Sequence, residues 1–129
     1  MTSAEFHSVL DRLATGWREK NYASVASEFS ADVQYGDPMR YMLSGRAALL
    51  EFFEADDDKD QFVTWHLALF DEAQQTGVLE YTYEGTHRYH GVALVRVGMG
   101  GITHWREYQH ADVRAWNQFA GGTVFPGQI

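Results

Sequence analysis

Apolar side chains recur with a helical period in the first part of the chain. Thr2 and Glu5 have the spacing of a capping box, which favours the start of a helix at this point. Asn21 is placed to cap a second, shorter helix. A third helix is predicted to begin at Ser44 and to run through Phe53. The apolar positions of the first helix follow the i, i+3, i+4, i+7 spacing of an amphipathic helix: Phe6, Val9, Leu10, Leu13 and Trp17.

The rest of the chain has the pattern of a sheet. Val33 and Tyr35 lead to a turn at Asp37-Pro38, because proline cannot donate a ladder hydrogen bond. A second short strand follows at 41–43. Residues typical of strands then fill four segments separated by turn sequences: 62–70, 78–85, 89–97 and 102–110. Helices followed by long antiparallel strands predict an α+β fold, a cone-shaped curved antiparallel sheet whose concave face is covered by three helices. A cavity between the helices and the sheet is expected, and small molecules bind at such places.

Size, charge and composition narrow the protein class. A chain of 129 residues, of which 45% are hydrophobic, is long enough for one domain, 1–129, and too short for two. The net charge of −8 argues against nucleic acid and against an anionic membrane surface as partners. The chain has no cysteine, which excludes disulfides, thiolate catalysis and zinc–thiolate sites. The first residues lack the basic start and apolar run of a signal peptide, so we expect a cytoplasmic protein.

Five segments spread over most of the chain form a recognisable set: 29–33, Asp37-Pro38, 44–49, 80–85 and 102–108. Together they resemble the nuclear transport factor 2-like superfamily, and the last segment resembles its SnoaL-like branch, which is related to polyketide cyclases and ketosteroid isomerases. The resemblance implies the cone-shaped fold. It implies an activity less closely, because the superfamily includes isomerases, cyclases, dehydratases, epoxide hydrolases and proteins that only bind. We expect neither a metal nor an organic cofactor.

The resemblance also assigns a candidate catalytic group. Laid against the ketosteroid isomerases, Asp37 takes the position of their general base, where it would shuttle a proton inside an apolar cavity. The alternative is that Asp37 only shapes the turn with Pro38. The oxyanion-hole positions of those isomerases fall near Leu13 and Val92. Neither side chain can donate a hydrogen bond, which argues against a steroid isomerase of that type.

Two further side chains are candidates for acid/base roles. Neighbouring residues of a strand face opposite ways, so either Trp65 or His66 is expected to face the cavity. A histidine there would relay protons near neutral pH, and the alternative is a structural His66 bonded to nearby backbone. Glu107 would be costly to bury unless it is paired or protonated, which makes it a second acid/base candidate. An ion pair with Arg88 or Arg106 is the alternative for Glu107.

The register of the ketosteroid isomerases implies which large side chains face inward, and these are expected to contact a small hydrophobic ligand. The candidates are Trp17, Tyr35, Phe53, Trp65, Tyr81, Tyr83, Val92 and Trp105. If Val92 faces the cavity, then Ala93, Val95 and Val97 face outward, and this apolar patch predicts a homodimer. His87 and His90 lack a third ligand at a suitable spacing, so no metal site is predicted.

The leading functional hypothesis is therefore cofactor-independent proton transfer on a small hydrophobic molecule, with Asp37 as the acid/base and His66 or Glu107 as its partner. Two alternatives remain open. The protein is a module that binds a small molecule without converting it, or its many large aromatics fill the cone and it serves in protein interaction.

Overall fold

The computed structural model describes residues 1–129 and contains four helices and one six-stranded sheet. The helices are α1 (Ser3–Arg18), α2 (Tyr22–Ser27), α3 (Arg46–Glu54) and α4 (Trp116–Ala120). The strands are β1 (Phe29–Asp37), β2 (Tyr41–Ser44), β3 (Phe62–Asp71), β4 (Thr76–Glu84), β5 (Arg88–Gly98) and β6 (Gly101–Ala111). None of the four helices combines the length and the apolar character needed to cross a membrane.

The helix starts agree with the sequence at α1 and differ at α3. The Thr2 hydroxyl accepts from the Glu5 amide at 3.1 Å, and the Thr2 amide donates to the Glu5 carboxylate at 2.7 Å, so the capping box is confirmed. Ser44 does not cap α3. It ends β2 opposite Gln34 and donates its hydroxyl to the Gln34 side chain at 2.9 Å. Gly45 stands at the N-cap instead with φ of 92°, a conformation that glycine adopts without steric cost.

The sheet has the strand order β2-β1-β6-β5-β4-β3. The predicted α+β class with helices over a curved sheet is confirmed. One pairing differs from the fully antiparallel prediction, because β1 runs parallel to β6. The β1–β2 hairpin occupies one edge of β1, and the β3–β6 meander returns along its other edge in the same direction. This register sets Tyr35 of β1 beside Trp105 of β6.

The faces of β5 are the reverse of the prediction. Ala93, Val95 and Val97 are buried in the core under the helices, whereas Val92 is half-buried on the outer face. Pairing explains the reversal, since Val95 lies opposite the inward-facing Trp105. Apolar residues occupy both faces of this strand, so alternation alone does not decide which face is inside.

Helix α1 packs against the sheet and covers the core. Phe6, Leu10 and Leu13 are fully buried against the sheet. The indole nitrogen of Trp65 in β3 donates to the carbonyl of Leu10 at 3.0 Å, which joins the helix to the sheet at one defined place. This contact also directs the Trp65 ring toward the space between the helices and the sheet.

Candidate functional site

A cavity of about 290 Å³ lies between the helices and the concave face of the sheet. This volume is at the lower end of the range of about 300–1,000 Å³ found for small-molecule pockets, which suits a ligand of one or two rings. The inner wall consists of buried side chains: Trp17, Tyr35, Phe53, Gln61, Trp65, Tyr81, Trp105 and Glu107. More exposed side chains surround the mouth: Arg40, Phe52, Asp56, Asp58, His87 and Tyr89.

Most of the predicted ligand-contacting side chains line this one cavity. They are Trp17, Tyr35, Phe53, Trp65, Tyr81, Tyr83 and Trp105. Val92 does not line it. Val92 lies on the opposite face of the sheet beside Glu80 and Tyr108, because β5 has the reverse facing from the prediction.

Glu107 is the polar centre of the inner wall. It is 6% exposed, and its Oε1 accepts a hydrogen bond from the Tyr41 hydroxyl. Its Oε2 accepts from the indole N–H of Trp105 at 3.2 Å. The Tyr81 hydroxyl lies 3.1 Å from that same oxygen and 2.6 Å from Oε1 of Gln109. Since a hydroxyl carries one hydrogen, Tyr81 donates to only one of these acceptors at a time.

Burial dominates the electrostatics of Glu107. It raises the pKa of the carboxyl above its ordinary value, and the nearby charge of Asp37 raises it further. The hydrogen bonds from Tyr41, Trp105 and Tyr81 act in the opposite direction without cancelling the effect of burial. Burial and the charge of Glu107 in turn raise the pKa of Tyr41 and of Tyr81. Both phenols therefore stay protonated and serve as hydrogen-bond donors at neutral pH.

The absence of a side chain at Gly91 leaves room for the hydrogen bond between Tyr81 and Gln109. Gly91 of β5 lies between Tyr81 of β4 and Gln109 of β6 in the sheet. A Cβ atom there would lie 2.8 Å from both the Tyr81 hydroxyl and the Gln109 Cβ. The missing side chain is what lets Tyr81 reach across β5 to Gln109.

Asp37 lies next to the cavity and is not part of its lining. It is 1% exposed. Its Oδ1 accepts from the Met39 amide at 2.9 Å, and its carbonyl accepts from the Arg40 amide, as in a residue that shapes a turn. Its Oδ2 has no hydrogen-bond partner, and Arg40 Nε lies 3.8 Å away. The general-base role of Asp37 stays a prediction.

His66 is on the wrong side of the sheet for its predicted role. Trp65 takes the inward position, so alternation turns His66 outward. There its Nε2 lies 2.6 Å from Thr82 Oγ1, which lies 2.8 Å from Nδ1 of His90. His90 Nε2 donates to the Arg114 carbonyl at 2.8 Å, because a carbonyl can only accept. Hydrogen bonds therefore link His66 through Thr82 to His90 on the outer face.

The C-terminal segment buries this outer histidine pair. Trp116 of α4 stacks on His66 with ring centroids 3.9 Å apart, and Phe119 stacks on His90 at 4.3 Å. Burial lowers the pKa of His66 to about 4, and the neighbouring His90 adds to the effect. His66 is thus neutral at physiological pH and does not line the cavity.

Tyr41 and Gln109 are functional candidates that the sequence analysis did not identify. Gln109 shares a face with Glu107, two residues along β6, so alternation could have found it. Tyr41 reaches Glu107 only because the β1–β2 hairpin pairs Asp37 with Tyr41. No local sequence signal indicates that register.

Asp58 joins the loop after α3 to the far side of the cavity mouth. Its carboxylate accepts from the Tyr83 hydroxyl, and from the Thr86 amide at 3.1 Å. Burial acts against ionisation here, yet the hydrogen bonds from Thr86 and Tyr83 lower the pKa of Asp58. Asp56, Asp57 and Asp58 approach each other closely enough to share a cation, but three of the roughly four acceptor positions of Asp58 are already taken by donors from Thr86 and Tyr83.

Comparison with known proteins identifies the fold through structure alone. No model of a protein family matches the chain, and no curated protein matches its sequence. A protein of unknown function with a cystatin-like fold from Methylobium petroleophilum superimposes with a TM-score of 0.73 and 15% identity, over 97% of this chain and 95% of that one.

Two other solved structures are similar. An NTF2-like protein of unknown function from Cytophaga hutchinsonii has a TM-score of 0.68 and 13% identity, over 81% of this chain and 88% of its own. A protein with a ketosteroid isomerase-like fold from Catenulispora acidiphila, in complex with trimethylamine, has a TM-score of 0.68 and 21% identity. The match covers 78% of this chain and 83% of that one. Identities this low establish a shared fold, and they carry no activity across to this chain.

Proposed function

We propose that this protein, whose fold is that of the nuclear transport factor 2-like proteins, binds a small and largely apolar molecule in the cavity, with one polar group of the ligand placed against Glu107. The observation that supports this most is the contrast within the cavity wall. Aromatic rings form most of it, and Glu107 is the one ionisable carboxyl among its buried residues. Apolar walls with a few convergent polar groups are the usual composition of a small-molecule site.

Tyr35 adds a second polar contact for the ligand. Its ring stacks on Trp105 in the same wall, and burial raises the pKa of its hydroxyl, so the group remains a donor at neutral pH. A ligand oxygen placed between Tyr35 and Glu107 would be held at a fixed orientation. The remaining contacts would be apolar and would select by shape.

A thermal-shift panel tests the binding proposal. Ketones, alcohols, epoxides and amines of one or two rings are screened against the wild type, Val63→Trp and Val92→Trp. Val63 lines the cavity, whereas Val92 is the matched control on the outer face. A ligand at about a hundred times its Kd stabilises the wild type by about 2.7 kcal/mol. We expect that gain to persist in Val92→Trp and to vanish in Val63→Trp. A gain retained in Val63→Trp, or no gain with any compound, contradicts the proposal.

Proton transfer is the second candidate function, and the raised pKa of Glu107 favours it. A carboxyl whose pKa is raised by burial is a stronger base when ionised, which suits it to general acid/base catalysis. Tyr41 and Tyr81 would stabilise the carboxylate after it releases the proton. In this form of the hypothesis Glu107 takes the central role that the sequence suggested for Asp37.

Exchange of ketone α-protons in D₂O, followed by ¹H NMR, tests this candidate without knowledge of the product. General-base catalysis contributes about 10²–10⁴-fold, and Glu107→Gln should remove that acceleration. Glu80→Gln is the matched control, because it makes the same charge change on the outer face of the sheet. Exchange that proceeds equally fast in Glu107→Gln excludes Glu107 as the base. If the wild type exchanges the protons no faster than buffer does, the proton-transfer candidate fails and only the binding proposal remains.

A further inference from the structure

The charge around the cavity selects against anionic ligands. Three carboxylates line the cavity and its mouth, those of Asp56, Asp58 and Glu107, against the single guanidinium of Arg40. Asp37 adds a further buried carboxyl, paired at 3.8 Å with Arg40 of the cavity mouth. The whole chain carries a net charge of −8. A ligand carboxylate or phosphate would enter against this field, whereas a cation would be drawn in.

The one guanidinium is already engaged away from Glu107. Arg40 Nε lies 3.8 Å from Asp37 Oδ2, and its guanidinium lies over the ring of Tyr89, 4.6 Å from the centroid. Glu107 makes no ion pair with any residue of the chain, and hydrogen bonds from neutral donors are its only partners. A buried carboxylate is costly without an opposite charge, and the inner wall of the cavity provides none.

The wall around Glu107 suits a cation that needs no hydrogen bonds. Aromatic rings that line the cavity meet at steep angles, 89° between Tyr35 and Phe53 and 72° between Trp17 and Trp105, so they enclose the space from more than one side. Aromatic faces attract cations, most strongly where water is excluded. Two or three of the roughly four acceptor positions on the Glu107 carboxylate are already taken by the protein's own donors. An ammonium covered with alkyl groups would pair with the remaining charge and pack its carbons against the rings.

We propose that the ligand of this cavity is a small alkylated ammonium compound, whose cationic head lies among these aromatic rings with Glu107 as its counter-ion. This inference rests on the proposed binding function and names the chemical class of the ligand. It assigns Glu107 a role in the bound state that differs from proton transfer, since the carboxylate pairs with the cation and exchanges no proton with it.

Choline and its neutral carbon isostere, 3,3-dimethylbutan-1-ol, form a matched pair of probes. They share shape and hydroxyl and differ in the positive charge. Calorimetric titration gives both Kd values for the wild type, Glu107→Gln and the outer-face control Glu80→Gln. The charge of Glu107 adds to the cation–π attraction of the rings, so we expect choline to bind at least about tenfold more tightly than the isostere. That preference should fall in Glu107→Gln, where only the cation–π attraction remains, and should stay unchanged in Glu80→Gln.

The indole N–H of Trp105 reports the place of binding, because it donates to Glu107. Its ¹H–¹⁵N resonance should shift when choline is added to the wild type. Equal Kd values for choline and the isostere would overturn the ammonium inference and leave the binding function intact. The same holds if neutral compounds of the thermal-shift panel bind and choline does not at millimolar concentration. If neither choline nor any panel compound binds, the inference and the proposed function fail together.

Discussion

Gly91→Ala adds one carbon atom at the cavity wall and thereby tests the hydrogen bond between Tyr81 and Gln109. The added Cβ would lie 2.8 Å from the Tyr81 hydroxyl, 2.8 Å from the Gln109 Cβ and 2.9 Å from the Tyr108 carbonyl. The hydroxyl can move, but the Cβ and the carbonyl belong to the paired strand β6. Overpacking of this kind costs about 1–3 kcal/mol. Loss of the 2.6 Å bond from Tyr81 to Gln109 adds about 0.5–1.5 kcal/mol.

The expected total is therefore a loss of about 1.5–4.5 kcal/mol in the free energy of unfolding, measured by urea titration at pH 7. Gly100→Ala is the matched control, because a Cβ there meets only the Ser30 Cβ at 3.6 Å, an ordinary contact. Its stability should change by no more than about 0.5 kcal/mol. If Gly91→Ala is as stable as Gly100→Ala, then Tyr81 does not reach Gln109 across β5, and the described wall around Glu107 is incorrect.

Three other predictions concern the two faces of the sheet. The pKa of His66 is about 4 in the folded chain against 6.5 when unfolded, so the unfolded state binds more protons between these values and stability falls as pH falls. Between pH 7 and pH 5 the free energy of unfolding should fall by about 2 kcal/mol more in the wild type than in His66→Phe. Equal decreases in the two proteins, measured by urea titration, would contradict the burial of His66. Trp65→Phe removes the bond to the Leu10 carbonyl and should cost about 1–3 kcal/mol, whereas an unchanged urea midpoint would refute that link. The homodimer stays a prediction, now resting on the outward Val92 and on Tyr108, and a monomeric mass in sedimentation at micromolar concentration would exclude it.

The order of helices and strands was predictable from periodicity and turn residues. The apolar stripe from Phe6 to Trp17 gives α1, and glycines and short polar stretches separate the long strands. The strands extend one or two residues beyond the predicted ends in several cases, where pairing with a neighbour continues the ladder. Most of the cavity wall followed from alternation together with the family resemblance: Tyr81 and Tyr83 share one face of β4, Trp105 and Glu107 share one face of β6, and the register of the ketosteroid isomerases turns both faces inward.

The errors arose where alternation carries no information. In β5 both faces are apolar, so Val92 and Ala93 were equally plausible inward residues, and only pairing with β6 decides between them. His66 has an outward position that α4 covers, and a helix of five residues leaves little trace in the periodicity. Tyr41 needed the β1–β2 register, which depends on the turn after Asp37.

The most direct test of the account is the pKa of Glu107, measured from the pH dependence of its side-chain carboxyl ¹³C shift, with Glu107→Gln to assign the signal. The structure predicts a midpoint above the ordinary value of 4.5, because burial and the charge of Asp37 outweigh the donors from Tyr41, Trp105 and Tyr81. A midpoint at or below 4.5 would mean that the carboxyl is solvated or already paired with a cation. In that case the cavity does not hold an uncompensated acid, and both its acid/base chemistry and its preference for an ammonium ligand would lose their basis.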